Sequence, residues 1–241
     1  VLAYQGPNTD GYIKTFTVSA NGADVTQVIG LEHNTSQGRY NSLLKMDADT
    51  YLLAYAGSGD DGYIRTFTIP DDGSSITKVL QIEHNTSYGI WNSIVQVDYN
   101  TYALAYYGYN QPSSQQWGRW IKTFTVNGGT ITEVAALRHF TSNTYYHSFI
   151  KFDADTYALA FSDNAEDGNI RTFTIPADGS SITQFVILDF LLFFSFVILF
   201  GFVIFFNFIF DDDVLFLLFL LFLFLLFQPF DVFFSIVLKF S

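Results

Sequence analysis

Along most of the chain, apolar and polar positions alternate with a period of two, in short runs cut by Gly, Asp, Asn and Pro, which is the pattern of half-buried strands and tight turns. Asn41–Asp47 (NSLLKMD) alternates up to an Asp-Ala-Asp-Thr turn and Tyr51–Ala56 follows. The turn Gly57–Gly62 then leads to Tyr63–Ile69, and Pro70-Asp71-Asp72-Gly73 leads to Ile76–Glu83. The third of these four strands sends Tyr63, Arg65, Phe67 and Ile69 to one face and Ile64, Thr66 and Thr68 to the other. Both faces carry bulk, so the sheet is expected to lie between neighbouring sheets instead of facing water. No segment of the repeats holds a helical period.

This unit recurs. LAYQGPNTDGYIKTFTV, TYLLAYAGSGDDGYIRTFTI, TYALAYYGYNQPSSQQWGRWIKTFTV and TYALAFSDNAEDGNIRTFTI are four wordings of one strand–turn–strand, and their markers Ile13, Ile64, Ile121 and Ile170 stand 51, 57 and 49 residues apart. A period near fifty residues means stacked supersecondary units. The register makes Phe16, Phe67, Phe124 and Phe173 equivalent, and all four are expected to be buried between sheets. The first unit lacks its opening strand. The fourth runs into ITQFVILDF, which aligns with VTQVIGLEH at Val25–His33.

Four antiparallel strands in each such unit resemble the blades of β-propellers of kelch-like length, over residues 1–190. The paired glycines of kelch repeats are reduced to single Gly57 and Gly108, and the kelch Trp is missing from its place. The resemblance implies an all-β, partial β-propeller of nearly four blades with four antiparallel strands each, in units of about 1–33, 34–84, 85–139 and 140–190. The wording is also similar to repeats in large secreted or surface proteins of microbes. Fifteen strands do not close a ring, and Val1 falls inside a repeat. The chain therefore reads as a piece of a larger propeller, with any leader upstream.

Composition changes abruptly near residue 186. From there to Ser241, 43 of 56 residues are Phe, Leu, Ile or Val, with no Ala, Thr, Glu, Arg or Tyr. Leu191–Phe210 is long enough to cross a bilayer, Asp211-Asp212-Asp213 follows, and Val214–Phe227 has no polar residue. No Lys or Arg flanks either run, and Trp and Tyr are absent from the interfaces. Nearly every residue of the tail has a codon with T in the middle position. The low-complexity segment 191–241 thus has two readings, a spurious translation or a membrane segment.

Net charge is −12, of which the tail contributes five Asp against Lys239. Such a surface repels nucleic acid. With no cysteine, neither a disulfide framework nor a Cys-based metal or redox site exists, and thiols do not fix the compartment.

Candidate chemistry collects where the turn after strand two meets the link from strand four to the next blade. One set is Asn8, Asp10, Asp60, Asp61, Asp163, Glu166 and Asp167. A second is His33, Asn34, His84, Asn85 and His139 with their neighbouring Thr and Ser. Repeated around a ring, these could bind sugars or Ca²⁺, although Asp-Gly and Asn-Thr-Ser also serve as plain turns. Asp163–Gly168 comes closest to a Ca²⁺ loop but lacks alternating oxygen ligands, so no cofactor is assigned. The histidines, one per blade, are expected to make capping hydrogen bonds at the exit of strand four. Lys14, Arg65, Lys122 and Arg171 occupy one position of strand three and are expected to pack their stems between blades. Asn34-Thr35-Ser36 and Asn85-Thr86-Ser87 match the N-glycosylation pattern.

One asymmetry stands out, the insertion Tyr107–Trp120 (YGYNQPSSQQWGRW). Its Tyr109, Trp117 and Trp120, with Asp60, Asp61 and Asp167, form the expected ligand-binding set: rings to stack on a sugar and carboxylates to accept its hydroxyls. Catalytic motifs are missing, and the carboxylates repeat with the blade. The expectation is a non-enzymatic, extracellular or cell-surface module for glycans or surface proteins. The alternatives are a fragment of a propeller glycoside hydrolase or lyase, and a membrane-anchored structural repeat if the tail is genuine.

Overall fold

The computed structural model describes residues 1–110, 116–141, 145–163 and 167–185. Among the described residues, fifteen strands form four separate antiparallel sheets in chain order. The first blade has three strands, β1 (Leu2–Gln5), β2 (Gly11–Val18) and β3 (Val25–Asn34). The second has β4 (Arg39–Lys45), β5 (Thr50–Ala56), β6 (Gly62–Thr68) and β7 (Thr77–Asn85). The third has β8 (Gly89–Asp98), β9 (Thr101–Asn110), β10 (Gln116–Asn127) and β11 (Thr130–Phe140). The fourth has β12 (Tyr145–Lys151), β13 (Thr156–Ser162), β14 (Gly168–Thr174) and β15 (Thr183–Gln184). This is a partial propeller, with every strand pairing up and down with its sequence neighbour and the opening strand of the first blade absent. Both expected membrane runs, 191–210 and 214–227, lie outside the described residues. Among the described residues no helix is long and apolar enough to cross a membrane.

Each blade is knitted by the same side chains. The first turn of the second blade folds around Asp47, whose carboxylate accepts from the backbone N–H of Thr50 at 2.9 Å and of Asp49 at 3.2 Å. A bulge on strand four opposes strand three, and the strand-three threonine satisfies it. Thr66 Oγ1 accepts from Leu80 N at 3.0 Å and Thr123 Oγ1 from Ala135 N at 3.0 Å. Thr15 and Thr123 also donate across to the next blade, to the carbonyls of Gly73 and Gly179, each at 2.7 Å.

Blades meet by a repeated insertion. Ile13 packs among Leu53, Tyr55 and Phe67; Ile64 among Leu104, Tyr106 and Phe124; Ile121 among Leu159, Phe161 and Phe173. The three isoleucines are fully buried, each stabilising its junction by about 1.5–3 kcal/mol by area alone. Inner strands add bonds of their own, as Ile94 N donates to Ser42 Oγ at 3.0 Å and Phe149 N to Ser93 Oγ at 2.9 Å.

The strand-three isoleucine faces the following blade and the phenylalanine the preceding one, which decides what happens at the ends. Phe67, Phe124 and Phe173 are fully buried, as expected. Phe16 is only half-buried, a correction to the expected set, because no described blade precedes the first. Conversely, Ile170 in the fourth blade is 72% exposed.

The strand-three cations reach across the same junctions. Arg65 Nη1 donates to the carbonyl of His33 at 2.6 Å, Lys122 Nζ to that of His84 at 2.8 Å, and Arg171 Nη1 to that of His139 at 3.0 Å. Stems buried between blades and heads on main-chain oxygens leave no ring of cations pointed at an anionic ligand.

The histidines themselves are buried, 2–6% exposed, and this corrects the expectation that they stand on the rim and cap strand ends. Their rings lie edge-on against aromatic side chains of the next blade, His33 4.8 Å from Tyr55 and His84 4.7 Å from Tyr106. Neither ring nitrogen of His84 or His139 has a hydrogen-bond partner among the described residues. What is capped is the histidine carbonyl. Gly62 and Gly89 make room for the ring: a Cβ at Gly62 would lie 2.4 Å from His84 Cε1 and 3.1 Å from the Cα of Gly89.

The third junction departs from this design. Arg119 replaces the glycine, fully buried, its guanidinium 3.9 Å from the Phe161 centroid and 4.6 Å from that of Phe140, with Nη2 donating to Ser162 O at 3.0 Å. Burial, then the neighbouring Arg171, lowers its pKa to about 9.

Candidate ligand-binding rim

The link between blades is built by an asparagine that turns the chain back on itself. Asn34 Oδ1 accepts from Ser36 N at 3.0 Å and Gln37 N at 3.2 Å, and Asn85 Oδ1 from Ser87 N at 3.1 Å and Tyr88 N at 3.0 Å. Asn85 is 6% exposed. These are turn formers, and their geometry argues against the glycosylation reading of the two motifs.

Immediately after the link, each inner strand opens with a bulge. Tyr40 and Asn41 oppose the single residue Tyr55, Trp91 and Asn92 oppose Tyr106, and Tyr146 and His147 oppose Phe161. The first bulge residue is left-handed in all three blades, with φ of 52° at Tyr40, 58° at Trp91 and 57° at Tyr146. An L-residue with a large ring in that region costs about 1–2 kcal/mol, so the surrounding structure imposes it. In the second and third blades the clamp is the next asparagine. Asn41 Nδ2 donates to Gly38 O at 2.8 Å and Asn92 Nδ2 to Gly89 O at 2.9 Å.

The strained backbone turns three aromatic rings onto one rim, where they touch in series. Tyr40 and Trp91 have centroids 4.3 Å apart, and Trp91 and Tyr146 4.7 Å apart. Tyr145 stands 6.0 Å from Trp91. Tyr146 is 70% exposed, and Tyr40 and Trp91 are half-buried. A second group adjoins them. Trp117, 44% exposed, lies 5.0 Å from Tyr88, 5.1 Å from Tyr109 and 5.7 Å from Tyr107, stacked on the last at 19°. Tyr40, Tyr88 and Trp91 pack on Ile90 and Tyr107, which joins the two groups into one aromatic surface.

Asp60 supplies the charge beside it. Its carboxylate accepts from the Gln37 amide and lies 3.7 Å from Arg39 Nη1. The phenols of Tyr40 and Tyr88 are pushed up, first by burial and then by Asp60.

Of the six expected site residues, Tyr109, Trp117 and Asp60 belong to this rim. Trp120 does not: it is 7% exposed and packs between the second and third blades with Ile64 and Tyr106, because it alternates with Trp117 and Arg119 along β10. Asp61 pairs with Glu83, burial raising both carboxyls. Asp167 caps its own turn, donating its N–H to Asp163 Oδ1 at 3.1 Å. Residues 164–166 of the suspected Ca²⁺ loop lie outside the described residues. Among the described residues no three of His, Asp and Glu stand close enough to share a metal ion. A concavity lined by Leu44, Val95, Gln96, Val97, Asp98, Tyr99 and Lys151 sits at the other end of the inner strands, away from the aromatic rim.

Tyr40, Trp91 and Tyr146 escaped the sequence reading. The signal was an aromatic residue recurring in one slot, Gly-Arg-Tyr-Asn, Gly-Ile-Trp-Asn and Thr-Tyr-Tyr-His, just after the link.

No family model matches the chain and no curated protein matches it. Among solved structures it is similar to an endo-1,4-beta-xylanase from Bacteroides thetaiotaomicron VPI-5482, with a TM-score of 0.46 and 17% identity over 77% of this chain and 74% of that one. A protein of unknown function from Dyadobacter fermentans DSM 18053 gives 0.46 and 13%, over 70% and 50%. Sqt1 of Saccharomyces cerevisiae gives 0.44 and 10%, over 73% and 42%. This chain spans half or less of those last two.

Proposed function

We propose that this protein is a non-enzymatic binding module, extracellular or at the cell surface, that holds a neutral glycan on the Tyr40–Trp91–Tyr146 arc. The observation that carries the proposal is the left-handed backbone at all three ring positions. Three blades meet the same conformational cost to present an aromatic ring at one place, and in the fourth blade that ring, Tyr146, is 70% exposed. A pyranose offers an apolar C–H face to such rings and hydroxyls to a nearby carboxylate and phenols, and mixed aromatic and polar linings suit small-molecule sites. Asp60, Tyr88 and Trp117 extend the surface on one side. The net charge of −12 disfavours anionic ligands and nucleic acid.

The enzyme alternative needs an acid–base pair that stands apart from the repeat. The carboxyl pair Asp61 and Glu83 has the counterparts Asp10 and Glu32 in the first blade, which favours a role in the turn.

A glycan array read with the full chain tests the proposal. Binding to one or more neutral oligosaccharides is expected, and Trp91→Ala should abolish it while the β-sheet circular dichroism is kept. Binding unchanged in Trp91→Ala and Tyr146→Ala, or hydrolysis of the bound sugar, overturns it.

A further inference from the structure

Two departures from the repeat converge on the concavity at the end of the inner strands opposite the aromatic rim. Its walls come from β4, β8, the β8–β9 turn and β12, so it spans the second, third and fourth blades across the two junctions between them, and it holds about 580 Å³. Volumes of about 300–1,000 Å³ are usual for small-molecule sites. The first departure concerns a lysine. Lys45 and Lys151 take the same slot, opposite Tyr51 and Tyr157, with their ammonium groups 5.8 and 5.9 Å from those ring centroids. Lys45 Nζ pairs with the Asp71 carboxylate at 3.4 Å, in the turn Pro70–Gly73. The matching turn Pro176–Gly179 has Ala177 in that place, and Lys151 Nζ donates instead to Val97 O at 2.6 Å, at the wall of the concavity. The second departure is the hairpin β8–β9, which closes through Tyr99 and Asn100 where the other blades have Ala48-Asp49 and Ala154-Asp155. Tyr99 is 78% exposed and lines the concavity. Strand pairing there runs on to Asp98 and Thr101, and among the described residues the Asp98 carboxylate caps no N–H of its turn, unlike Asp47.

We propose that this concavity binds a small zwitterion with an apolar body, an α-amino acid such as leucine or phenylalanine. Lys151 and Asp98 bring opposite charges to one concavity, yet among the described residues neither has an ion-pair partner. Together they complement a carboxylate and an ammonium held on one carbon, each through a charge-assisted hydrogen bond. Leu44, Val95 and Val97 give an apolar floor for the side chain, and the Tyr99 ring stands beside it. The charges of the walls cancel. A zwitterion therefore meets none of the repulsion that a chain of net charge −12 exerts on a free anion. Both charged groups are open to water, so neither contact is strong alone, and selection comes from requiring the two charges and the apolar body at once.

Calorimetric titration of the full chain with L-leucine and with L-phenylalanine is the test. Saturable binding of at least one is expected. For the leucine skeleton, affinity should fall about tenfold or more with isocaproate, which lacks the ammonium, and with isoamylamine, which lacks the carboxylate. Lys151→Met and Asp98→Asn should each weaken amino-acid binding by a similar factor. Lys151→Met also removes the bond to Val97 O, so Ala177→Asp is the variant that keeps the lysine: it restores the carboxylate that holds Lys45 in the second blade, and should draw the Lys151 ammonium away and weaken binding about tenfold with the urea midpoint retained. No saturable binding of either amino acid, equal affinity for leucine and its two analogues, or an affinity unchanged in Ala177→Asp and Asp98→Asn overturns the proposal.

Discussion

Arg65 donates its guanidinium N–H to the main-chain carbonyl of His33 at 2.6 Å, from the third strand of one blade to the last strand of the blade before it. The carbonyl belongs to the residue whose ring fills the same junction, so one histidine supplies both a packing surface and a hydrogen-bond acceptor. Arg65→Met keeps the apolar stem and removes the donor. It should destabilise the protein by about 1.5–3 kcal/mol, the range for a lost charged hydrogen bond. Lys14→Met, whose ammonium rests over Tyr4, should change stability by much less. Urea unfolding of both variants measures the contrast, and equal losses would place the stabilisation in the charge itself instead of the junction.

The buried histidines make the fold acid-sensitive. Burial, then Arg65, lowers the pKa of His33 to about 4, and burial, then Lys122, lowers that of His84 to about 3. Below an unfolded value of about 6.5, the unfolded chain takes up protons that the folded one refuses. Each such histidine should remove about 1.4 kcal/mol per pH unit from there down to its folded pKa. Urea midpoints should be flat above pH 7 and fall between pH 6.5 and about 4. His84→Phe should reduce the slope, and an unchanged slope would show that this histidine does not titrate on unfolding.

Strand order, blade length and the faces of strand three were all legible, because they follow from alternation and from a repeat that states Phe67 and Ile64 four times over. The bulge was not. A left-handed aromatic residue breaks alternation by a single position, which looks the same as the loose start of a strand, so Tyr40 and Trp91 read as link residues. Trp120 was misplaced for the opposite reason: it shares an insertion with the exposed Trp117, while the register with Tyr12 and Tyr63 puts it between blades. The histidines looked polar and lay next to turn residues, and only the glycines opposite them reveal a socket.

Strain and recognition should separate at Tyr146. Its ring is 70% exposed and its φ is 57°, so Tyr146→Gly removes little packing and relieves an unfavourable backbone. The variant should be as stable as the parent or more stable, by about 1 kcal/mol, and should bind the glycan more weakly. A thermal melt and a binding isotherm on one preparation check both halves. A clear loss of stability would mean the ring is held for packing.

Gly62→Ala should be among the most damaging small substitutions in the chain. The added methyl would lie 2.4 Å from His84 Cε1 and 3.1 Å from Gly89 Cα, and overpacking of this kind costs about 1–3 kcal/mol or more. Gly168→Ala, with nothing among the described residues within 4 Å of its added methyl, is the matched control. Comparable melts for the two variants would refute the tight socket.

The contact of Gly62 with Gly89, and of Gly11 with Gly38, has a geometric outcome of its own. Where two main chains touch, the angle between adjacent blades is fixed by covalent backbone dimensions and not by side-chain volume. Core residues can then vary without altering the curvature of the array, while one methyl group at a glycine resets it. The third joint, wedged by Arg119 between Phe140 and Phe161, is set instead by the thickness of a guanidinium between two rings. The sum of these angles decides how many blades make a full turn, so the number of blades in a closed ring is written in three glycine-sized gaps, one of which this protein has filled with an arginine.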